Sequence, residues 1–521
     1  DFILGYIKTL LRRRRSLRVI ITSATIDTEK FSRAFDGASV IEVSGRMYPV
    51  DVRYAPPAEN GDEGDSTPVE QAVAAVRRIM KERRPGDILV FMPTEQDIRE
   101  ACEMIAGDGP SGTLVLPLFA RLSAAEQSRV FHPAAGRKIV VATNVAETSL
   151  TIPGITFVVD TGLARIPRYS PRTRTTAMPV VPVSRSSADQ RKGRCGRVAS
   201  GVCVRLYSEE DYLSRPAYTP PEILRANLAE VILRMLALNL GDVAAFPFID
   251  PPDSKSIADG FNLLYELGAI RDGGNEKGEV GSRKAEGGKR IELTETGRMM
   301  ARIPLDPRLS RMLIEARREG CLKEMAIIAA ALSIQDPRER PADKTAEADR
   351  AHAGFNDPAS DFLTLLNIWN RFRMVRTTAG SHSALRRFSR EHFLSYRRMR
   401  EWEDIHRQVG DVLKEGGSWK VEGGKKTSGK VEGGRPKAEK GETASSTPHT
   451  SSCPLPPSTF ARVHRSILSG FLANIAQKKE KNIYRAARNR EAMVFPGSGL
   501  FNRSGGWIVA SEMVETSRLF A

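Results

Sequence analysis

Short apolar runs that alternate with helical patterns constrain the fold of residues 17–207 more than any other feature. Residues 69–80 illustrate the helical pattern, because their apolar side chains recur on one face of a helix. Strands that are apolar throughout are typical of a parallel sheet covered by helices on both faces. The sequence therefore predicts an α/β domain with strands at 17–21, 88–91, 114–118, 139–141, 157–159 and 202–206.

Polar or turn-rich segments follow these apolar runs. Thr22 to Thr25 come after the first run, and Thr143 and Asn144 come after the fourth. In open α/β sheets, ligands bind at the carboxyl ends of the strands. We therefore expect functional residues near these two segments.

Amphipathic helices replace the strands after residue 207. Asp306 followed by Pro307 predicts a helix start, and the apolar residues that follow at helical spacing predict a buried stripe. Near the end, residues 492–495 and 507–514 lie on either side of a Pro-Gly turn signal and predict two antiparallel strands.

Composition narrows the class of protein. The 79 Lys and Arg against 63 Asp and Glu leave a formal charge of +16. This excess favours a polyanionic partner, although ribosome-associated and merely basic enzymes carry the same sign. No run reaches the roughly 18 apolar residues of a membrane-spanning helix, so no membrane insertion is expected. The five cysteines form no C-x-x-C pair, which argues against structural zinc and favours a reducing compartment.

The octet Gln-Arg-Lys-Gly-Arg-Cys-Gly-Arg at 190–197 is the strongest chemical signal. Arg191, Arg194 and Arg197 are three residues apart, close to one helical face, and the glycines allow a ligand to approach. Planar, permanently charged guanidinium groups suit the oxygens of a triphosphate. Two arginines at this spacing are more often part of a solvated basic helix, whereas the complete octet predicts triphosphate binding.

The octet resembles motif VI of the DEAH-box helicases of superfamily 2. Ser-Ala-Thr at 23–25 resembles motif III, Leu-Val-Phe-Met-Pro at 89–93 resembles motif IV, and residues 142–151 resemble motif V. Each match alone is weak, but four in order are specific. Further matches at 116–123, 331–341 and 494–501 narrow the resemblance to the bacterial HrpA-type ATP-dependent RNA helicases.

Two motifs of that family have no counterpart in the sequence. The nearest match to a G-x-x-x-x-G-K-[ST] phosphate loop, at 424–431, ends in Val431, and no Asp-Glu-x-His box occurs. Residues 1–6 resemble the sequence just downstream of that box, and the chain begins with Asp1 rather than Met. We therefore expect a fragment that lacks most of the first RecA-like domain and that hydrolyses no ATP in isolation.

The resemblance implies roles in catalysis for three residues of the octet. Gln190, Arg194 and Arg197 would face the γ-phosphate and the attacking water, with Arg197 as an arginine finger worth about 10³–10⁵ in rate. ATP and Mg²⁺ are the implied cofactors. The magnesium ligands are expected in the missing N-terminal domain, and no metal site is expected in this chain.

The resemblance also implies nucleotide contacts outside the catalytic trio. Phe131 would stack on the adenine, Asp160 would lie near the ribose, and Arg191 would contact the nucleotide. A core position for Phe131 and a strand-end cap for Asp160 stay open as alternatives.

A third group would bind RNA and couple it to the nucleotide. Hydroxyl and amide groups would contact the RNA backbone without reading bases, and arginines in a β-hairpin within 163–183 would lie near the point of strand separation. Turn-capping hydroxyls and a plain exposed hairpin are the alternatives. The residues are Ser23, Thr25, Thr143, Asn144, Arg172 and Arg174.

The implied fold is α/β, with a RecA-like parallel sheet domain followed by winged-helix, helical-bundle and partial OB-like β-barrel domains. We expect a remnant of the first RecA-like domain at 1–48, the second RecA-like domain at 49–215, a winged helix at 216–301, a helical bundle at 302–415, a low-complexity insertion at 416–457 and the OB-like part at 458–521. Shorter low-complexity stretches at 56–68 and 273–289 are also expected to be flexible.

The predicted function is ATP-dependent RNA unwinding with 3′ to 5′ translocation, in a cytoplasmic monomer. RNA is the expected partner, and a ribosome or another ribonucleoprotein is a further candidate. The alternative is a non-catalytic RNA-binding or ribosome-associated scaffold. The sequence does not identify the RNA target.

Overall fold

The structure is a computed structural model. It describes residues 1–23, 27–43, 48–57, 66–82, 84–108, 112–148, 150–273, 283–284, 290–415, 456–515 and 519–521. Residues 416–455 of the insertion predicted at 416–457, most of the stretches at 56–68 and 273–289, and Thr25 lie outside the described residues.

A six-stranded parallel sheet, in the order β1-β10-β5-β2-β4-β3, organises the first part of the chain. The elements in chain order are α1 (Phe2–Arg13), α2 (Thr28–Ala34), β1 (Val50–Tyr54), α3 (Pro68–Lys81), β2 (Asp87–Phe91), α4 (Glu95–Asp108), β3 (Leu114–Leu118), α5 (Ala124–Ser128), β4 (Lys138–Ala142), α6 (Val145–Thr148), β5 (Ile155–Asp160), β6 (Leu163–Arg165), β7 (Arg168–Ser170), β8 (Thr175–Ala177), β9 (Val180–Pro182), α7 (Arg185–Lys192), β10 (Gly201–Arg205) and α8 (Glu209–Ser214).

Both faces of this sheet are covered, which explains why its inner strands are apolar throughout. In β2, Ile88 and Val90 belong to one hydrophobic cluster, and Leu89 and Phe91 belong to the cluster on the opposite face. Helix α3 begins at a capping box formed by Thr67 and Glu70 and turns its apolar face to the first cluster. The prediction of a parallel α/β sheet is confirmed.

One predicted strand is wrong and one real strand was missed. Residues 17–21 form no strand among the described residues, and Ile20 is 88% exposed. An apolar run forms a buried strand only where neighbouring strands pair with it, and none of the six described strands does so here. The missed strand β1 lies at the edge of the sheet beside β10, and its side chains alternate between half-buried and exposed, so it carries no continuous apolar run.

Helices dominate the second part of the chain. The elements are α9 (Ala229–Ala237), α10 (Ser254–Glu266), β11 (Ile270–Gly273), β12 (Arg283–Lys284), β13 (Arg290–Leu293), α11 (Glu295–Arg302), α12 (Pro307–Glu319), α13 (Leu322–Leu332), α14 (Thr345–Ala353), α15 (Asp361–Ala379), α16 (His382–Glu391), α17 (Tyr396–Glu415), α18 (Pro457–Gly470), β14 (Ile475–Glu480), β15 (Ile483–Ala486), β16 (Arg490–Met493), β17 (Trp507–Val509), β18 (Val514–Glu515) and β19 (Leu519–Phe520).

Two units precede the final strands. Helices α9 to α11 and the antiparallel strands β11 and β13 share one core, against which α1 also packs through Phe2 and Tyr6. Helices α12 to α18 form the bundle. As predicted, Asp306 caps α12 by accepting the Arg308 amide at 2.8 Å, and the stripe on α12 is buried. Within the described ranges, none of the helices combines the length and apolar character needed to cross a bilayer.

The final strands join a β-hairpin of the first domain in one eight-stranded sheet. Strand β18 runs parallel to β8, with Val514 opposite Thr176. The two antiparallel strands predicted around the Pro-Gly turn are present as β16 and β17, but they do not pair with each other, because β14 and β15 lie between them in the sheet. A local turn signal cannot predict that β17 pairs with β14, at the edge of the sheet.

The segment between β16 and β17 attaches this sheet to the bundle. Asp361, the first residue of α15, accepts the Gly499 amide at 2.9 Å and the Ser498 hydroxyl. Both residues belong to the sequence match at 494–501. This part of the resemblance therefore marks a contact between two domains.

We expect Asp361→Ala to loosen this contact. It leaves the half-buried Gly499 amide unpaired, which costs about 1–3 kcal/mol of unfolding free energy. Urea unfolding should show a lower midpoint for this variant than for Asp357→Ala, whose carboxylate accepts, among the described residues, only the nearby Ala359 amide. Equal midpoints for the two variants would contradict the assignment.

Candidate nucleotide and RNA site

The octet begins in the last turn of helix α7 and continues beyond the end of that helix at Lys192. Ser184 caps the start of α7 by accepting the Ser187 amide at 3.2 Å, and the helix packs against β5. Gln190 lies in its last turn, and Arg194 and Arg197 lie in the turns that follow. These two arginines are beside residues 150–152, which lead into β5, rather than at the carboxyl ends of the strands where ligands were expected.

Gln190 and Arg194 have buried polar atoms without partners in the part of the chain that is described. These atoms are Gln190 Oε1 and Arg194 Nε. Arg194 Nη1 donates to the Leu150 carbonyl at 3.2 Å, and Arg197 donates to the Thr151 hydroxyl. Such buried atoms without partners cost free energy unless a ligand or water satisfies them.

The arginines also repel each other. Burial, together with the charge of Arg197, lowers the pKa of Arg194 to about 10. Among the described residues, neither guanidinium group forms an ion pair with a carboxylate. The site is therefore positive, and an anion of several oxygens would supply acceptors for the guanidinium groups, whereas Gln190 Oε1 is itself an acceptor and needs a donor such as water.

Arg191, between Gln190 and Arg194, points into the protein. Its side chain is 1% exposed, and it donates to Asp160 Oδ1 at 2.7 Å and to Glu147 Oε2 at 3.0 Å. It also lies over the Phe91 ring, 4.8 Å from the centroid. Burial alone would lower the pKa of Arg191, but the two carboxylates outweigh it and the pKa is raised.

Asp160 is fully enclosed in the same network. It accepts the Gly162 amide and the Tyr207 hydroxyl, both at 2.9 Å, in addition to Arg191. Direct contact of Asp160 and Arg191 with a nucleotide does not fit this geometry. The two side chains form an ion pair with each other, and neither reaches the surface. The strand-end alternative for Asp160 describes its position better.

Glu147 connects this network to motif V, a link that the sequence did not reveal. It lies in α6, three residues after Asn144, and accepts both Arg191 and the Ser187 hydroxyl. Its other side borders a cavity of about 760 Å³ that Asn144 also lines. A single carboxylate thus joins the cavity to the helix that carries Gln190.

The cavity lies where the sheet domain, its hairpin, the bundle and the last domain meet. Asn144 at the carboxyl end of β4 is exposed there, and Thr143 beside it is half-buried. Three arginines of the lining form no ion pair with a carboxylate within the described ranges: Arg165, Arg225 and Arg308.

The hairpin β7–β8 lies within 163–183, as predicted. Its two candidate RNA-binding arginines, Arg172 and Arg174, have different surroundings. Arg172 at its turn is exposed. Arg174 instead donates to Asp259 at 3.0 Å and to Glu266 at 2.7 Å, both on α10. The expectation that Arg174 binds RNA does not fit, because two carboxylates already neutralise it. Tertiary packing of α10 decides this, and the local sequence cannot show it.

A second cavity, of about 960 Å³, lies at the carboxyl ends of β2 and β3. The three segments that narrowed the resemblance converge on it, through residues 119–123, 335–341 and 495–498. Segments that are far apart in sequence therefore form one surface.

Phe131 and Ser23 are exposed to different extents. Phe131 lies in a short 3₁₀ turn after α5 and is 38% exposed, so it is not a core residue and its ring is accessible to a planar group. Ser23 is exposed, and its neighbour Thr25 lies outside the described residues. No group of three or more His, Cys, Asp or Glu that could hold a metal ion occurs in the described ranges.

Three family descriptions match parts of the chain. Residues 71–199 match the helicase conserved C-terminal domain, residues 306–365 the ratchet-like helicase associated domain (HA2), and residues 463–521 an oligonucleotide/oligosaccharide-binding (OB) fold. The ATP-dependent RNA helicase HrpA of Escherichia coli is 47% identical over the whole chain. The chain belongs to the HrpA-type DEAH-box helicases.

Two further relatives of this HrpA-type chain are also named as RNA helicases or their homologs. The HrpA homolog of Haemophilus influenzae is also 47% identical over the whole chain, and the pre-mRNA-splicing factor ATP-dependent RNA helicase prp22 of Schizosaccharomyces pombe is 32% identical over 99% of it. The chain spans 36%, 36% and 40% of these relatives, respectively. The crystal structure of the E. coli DExH-box NTPase HrpB matches the fold with a TM-score of 0.67 at 24% identity, over the whole chain and 51% of HrpB.

We expect Asp160→Asn to destabilise the protein strongly. It removes one charge from a buried pair and leaves Arg191 undercompensated, which costs about 3–5 kcal/mol of unfolding free energy. The matched control is Glu230→Gln, whose ion pair with Arg234 is exposed and worth about 0–1 kcal/mol. Thermal unfolding compares the two variants, and similar losses would mean that the buried network contributes little.

Proposed function

We propose that this chain supplies the γ-phosphate-sensing and RNA-holding part of an ATP-dependent RNA helicase. The observation that carries the proposal is the pair of neighbouring arginines, Arg194 and Arg197, in which Arg194 Nε, like Gln190 Oε1, is buried and has no partner in the described part of the chain. A nucleotide triphosphate would supply the acceptors and negative charge that the two guanidinium groups lack, and the attacking water would donate to Gln190 Oε1.

Gln190, Arg194 and Arg197 would act on the γ-phosphate in complementary ways. The amide of Gln190 would orient the attacking water, and the guanidinium groups would stabilise the charge that spreads over the phosphoryl oxygens in the transition state. Arg197 is the more exposed of the two arginines and so would reach a nucleotide held by a facing surface. Phe131 would stack on the adenine.

Glu147 would couple the nucleotide to RNA. Closure of the arginines on a γ-phosphate would move α7, and Arg191 and Ser187 would transmit this movement to Glu147 and to the adjoining Asn144 at the cavity. Repeated opening and closing would change the grip on RNA. The family resemblance implies that the resulting steps run 3′ to 5′.

The first cavity would hold the backbone of single-stranded RNA. Asn144, Arg165, Arg225 and Arg308 offer amide and guanidinium donors, which suit phosphate and sugar oxygens. Thr143 would contribute with its hydroxyl group, and Arg172 would contact RNA at the tip of the hairpin. Contacts of this kind do not distinguish bases, as translocation along any sequence requires.

We expect this chain alone to hydrolyse no ATP, because its sequence contains no phosphate loop. Magnesium-dependent phosphate release should equal the buffer background for the chain and for its Arg197→Ala variant. In the full-length protein, Arg197→Ala should lower ATP turnover by about 10³-fold or more, since the arginine finger acts in the transition state. RNA affinity should stay within a few-fold. ATPase activity of the chain that disappears in Arg197→Ala would contradict the first expectation, and equal losses of turnover and RNA affinity would contradict the second.

We expect Arg165→Gln with Arg308→Gln to weaken binding of single-stranded RNA to this chain. Each lost phosphate contact should lower the salt dependence of the logarithm of the affinity by about 0.7. Fluorescence anisotropy over a range of salt concentrations measures both quantities. The control is Arg77→Gln with Arg78→Gln, two exposed arginines on α3. Equal behaviour of the two double variants would place the RNA elsewhere.

A further inference from the structure

The net positive charge of the chain is concentrated in a short part of the helical bundle. Residues 371–400 contain nine arginines and a single acidic residue, Glu391. Their net charge of +8 is half of the formal +16 of the whole chain. These residues cover the end of α15, all of α16 and the start of α17, and we call them the arginine surface.

The three helices bring these arginines together. Helix α16 packs against both α15 and α17. His382 on α16 is 3.0 Å from the Tyr396 hydroxyl, and the Arg386 guanidinium lies 5.4 Å from the centre of the Tyr396 ring. Glu403 on α17 reaches back to α15. The arginine surface is therefore one continuous region of the bundle.

The carboxylates nearby are too few to neutralise this surface. Arg373, Arg376 and Arg400 all contact the one carboxylate of Glu403, which is itself buried. The surface thus holds three guanidinium groups for one negative charge at this point. Charges in such excess repel each other and attract a polyanion.

Three arginines of this surface are exposed and pair with no carboxylate in the described ranges: Arg386, Arg390 and Arg397. Arg397 precedes Arg398, which donates to the Ala120 and Asp336 carbonyls and lines the second cavity. The arginine surface therefore begins at the rim of that cavity and extends away from it.

No Phe, Tyr or Trp ring of this region is fully exposed among the described residues, and the half-buried Tyr396 ring is covered by Arg386. Phe372, Phe388 and Trp402 are buried in the core of the bundle. Proteins that bind single strands without sequence preference combine basic grooves with exposed aromatic rings on which bases stack. The arginine surface offers charge without such rings, which suits the phosphates of double-stranded RNA, whose bases are paired and enclosed.

We propose that the arginine surface binds the phosphate backbone of a double-stranded RNA segment that adjoins the single strand held in the cavities. This inference rests on the proposed function, because it takes RNA as the substrate. Its consequence is that structured RNA binds better than a single strand of the same sequence, through residues outside the cavities.

The test compares two RNAs with the full chain. One is a single strand of about eight nucleotides, and the other is the same strand joined to a hairpin of about 16 base pairs. The variant carries Arg386→Gln, Arg390→Gln and Arg397→Gln. The control carries Arg77→Gln, Arg78→Gln and Lys81→Gln, three exposed cations on α3.

We expect the variant to bind the hairpin RNA about tenfold more weakly near 0.1 M salt, with a salt slope smaller by about 2–3, because three phosphate contacts are lost. Its affinity for the single strand should equal that of the unmodified chain, and the control should bind both RNAs normally. Circular dichroism should show unchanged helix content in both variants.

Equal affinity of the variant and the unmodified chain for the hairpin RNA would overturn the proposal, and so would an equal loss in the control. If the variant keeps its RNA affinity but loses affinity for polyglutamate, the surface binds acidic protein instead. Failure of the unmodified chain to bind the single strand would count against the proposed function. That result is independent of the difference in hairpin RNA affinity between the variant and the unmodified chain.

Discussion

The buried contacts of Arg191 hold the two functional segments of the first domain in register. A guanidinium group without contact with water is stable in the protein only when carboxylates compensate its charge, and here Asp160 and Glu147 do so from two different elements. The end of β5, the short helix of motif V and the helix of motif VI are thereby fixed relative to one another. Gln190 in the last turn of this helix, and Arg194 in the turn that follows it, are thereby held in place.

This arrangement divides the octet into two kinds of arginine. Arg191 is satisfied and serves as an anchor, whereas Arg194 and Arg197 lie close together with no carboxylate partner in the described ranges. The buried contacts of Arg191 hold the backbone of this segment in place. Without them, the two neighbouring cations Arg194 and Arg197 would move apart. We interpret the unsatisfied pair as the part of the site that a ligand completes.

Contacts between domains shape the cavity that we propose as the RNA site. The hairpin β7–β8 is attached to α10 through Arg174 and to the last domain through β18, and the last domain is attached to the bundle through Asp361. These contacts enclose the first cavity and place Asn144 on its wall. The proposed arginine surface extends the basic character of this region beyond the cavities, since Arg398 belongs to both.

The sequence by itself determined the parallel sheet, because apolar strands such as 88–91 are legible without any knowledge of their neighbours. It also determined the start of α12 at Asp306 and the presence of the octet that resembles motif VI, since both depend on residues close together in the chain. Tertiary structure decided what local patterns cannot contain. Residues 17–21 look like a strand but lack pairing partners, β17 pairs across the sheet rather than with its neighbour in sequence, and Arg174 is neutralised by carboxylates some 85 and 92 residues away. Tertiary structure also buries Arg191 while leaving Arg194 half-buried and Arg197 exposed, a difference that the regular spacing of the three arginines does not show. Charge compensation and strand pairing depend on which distant residues meet, and only the folded chain brings them together.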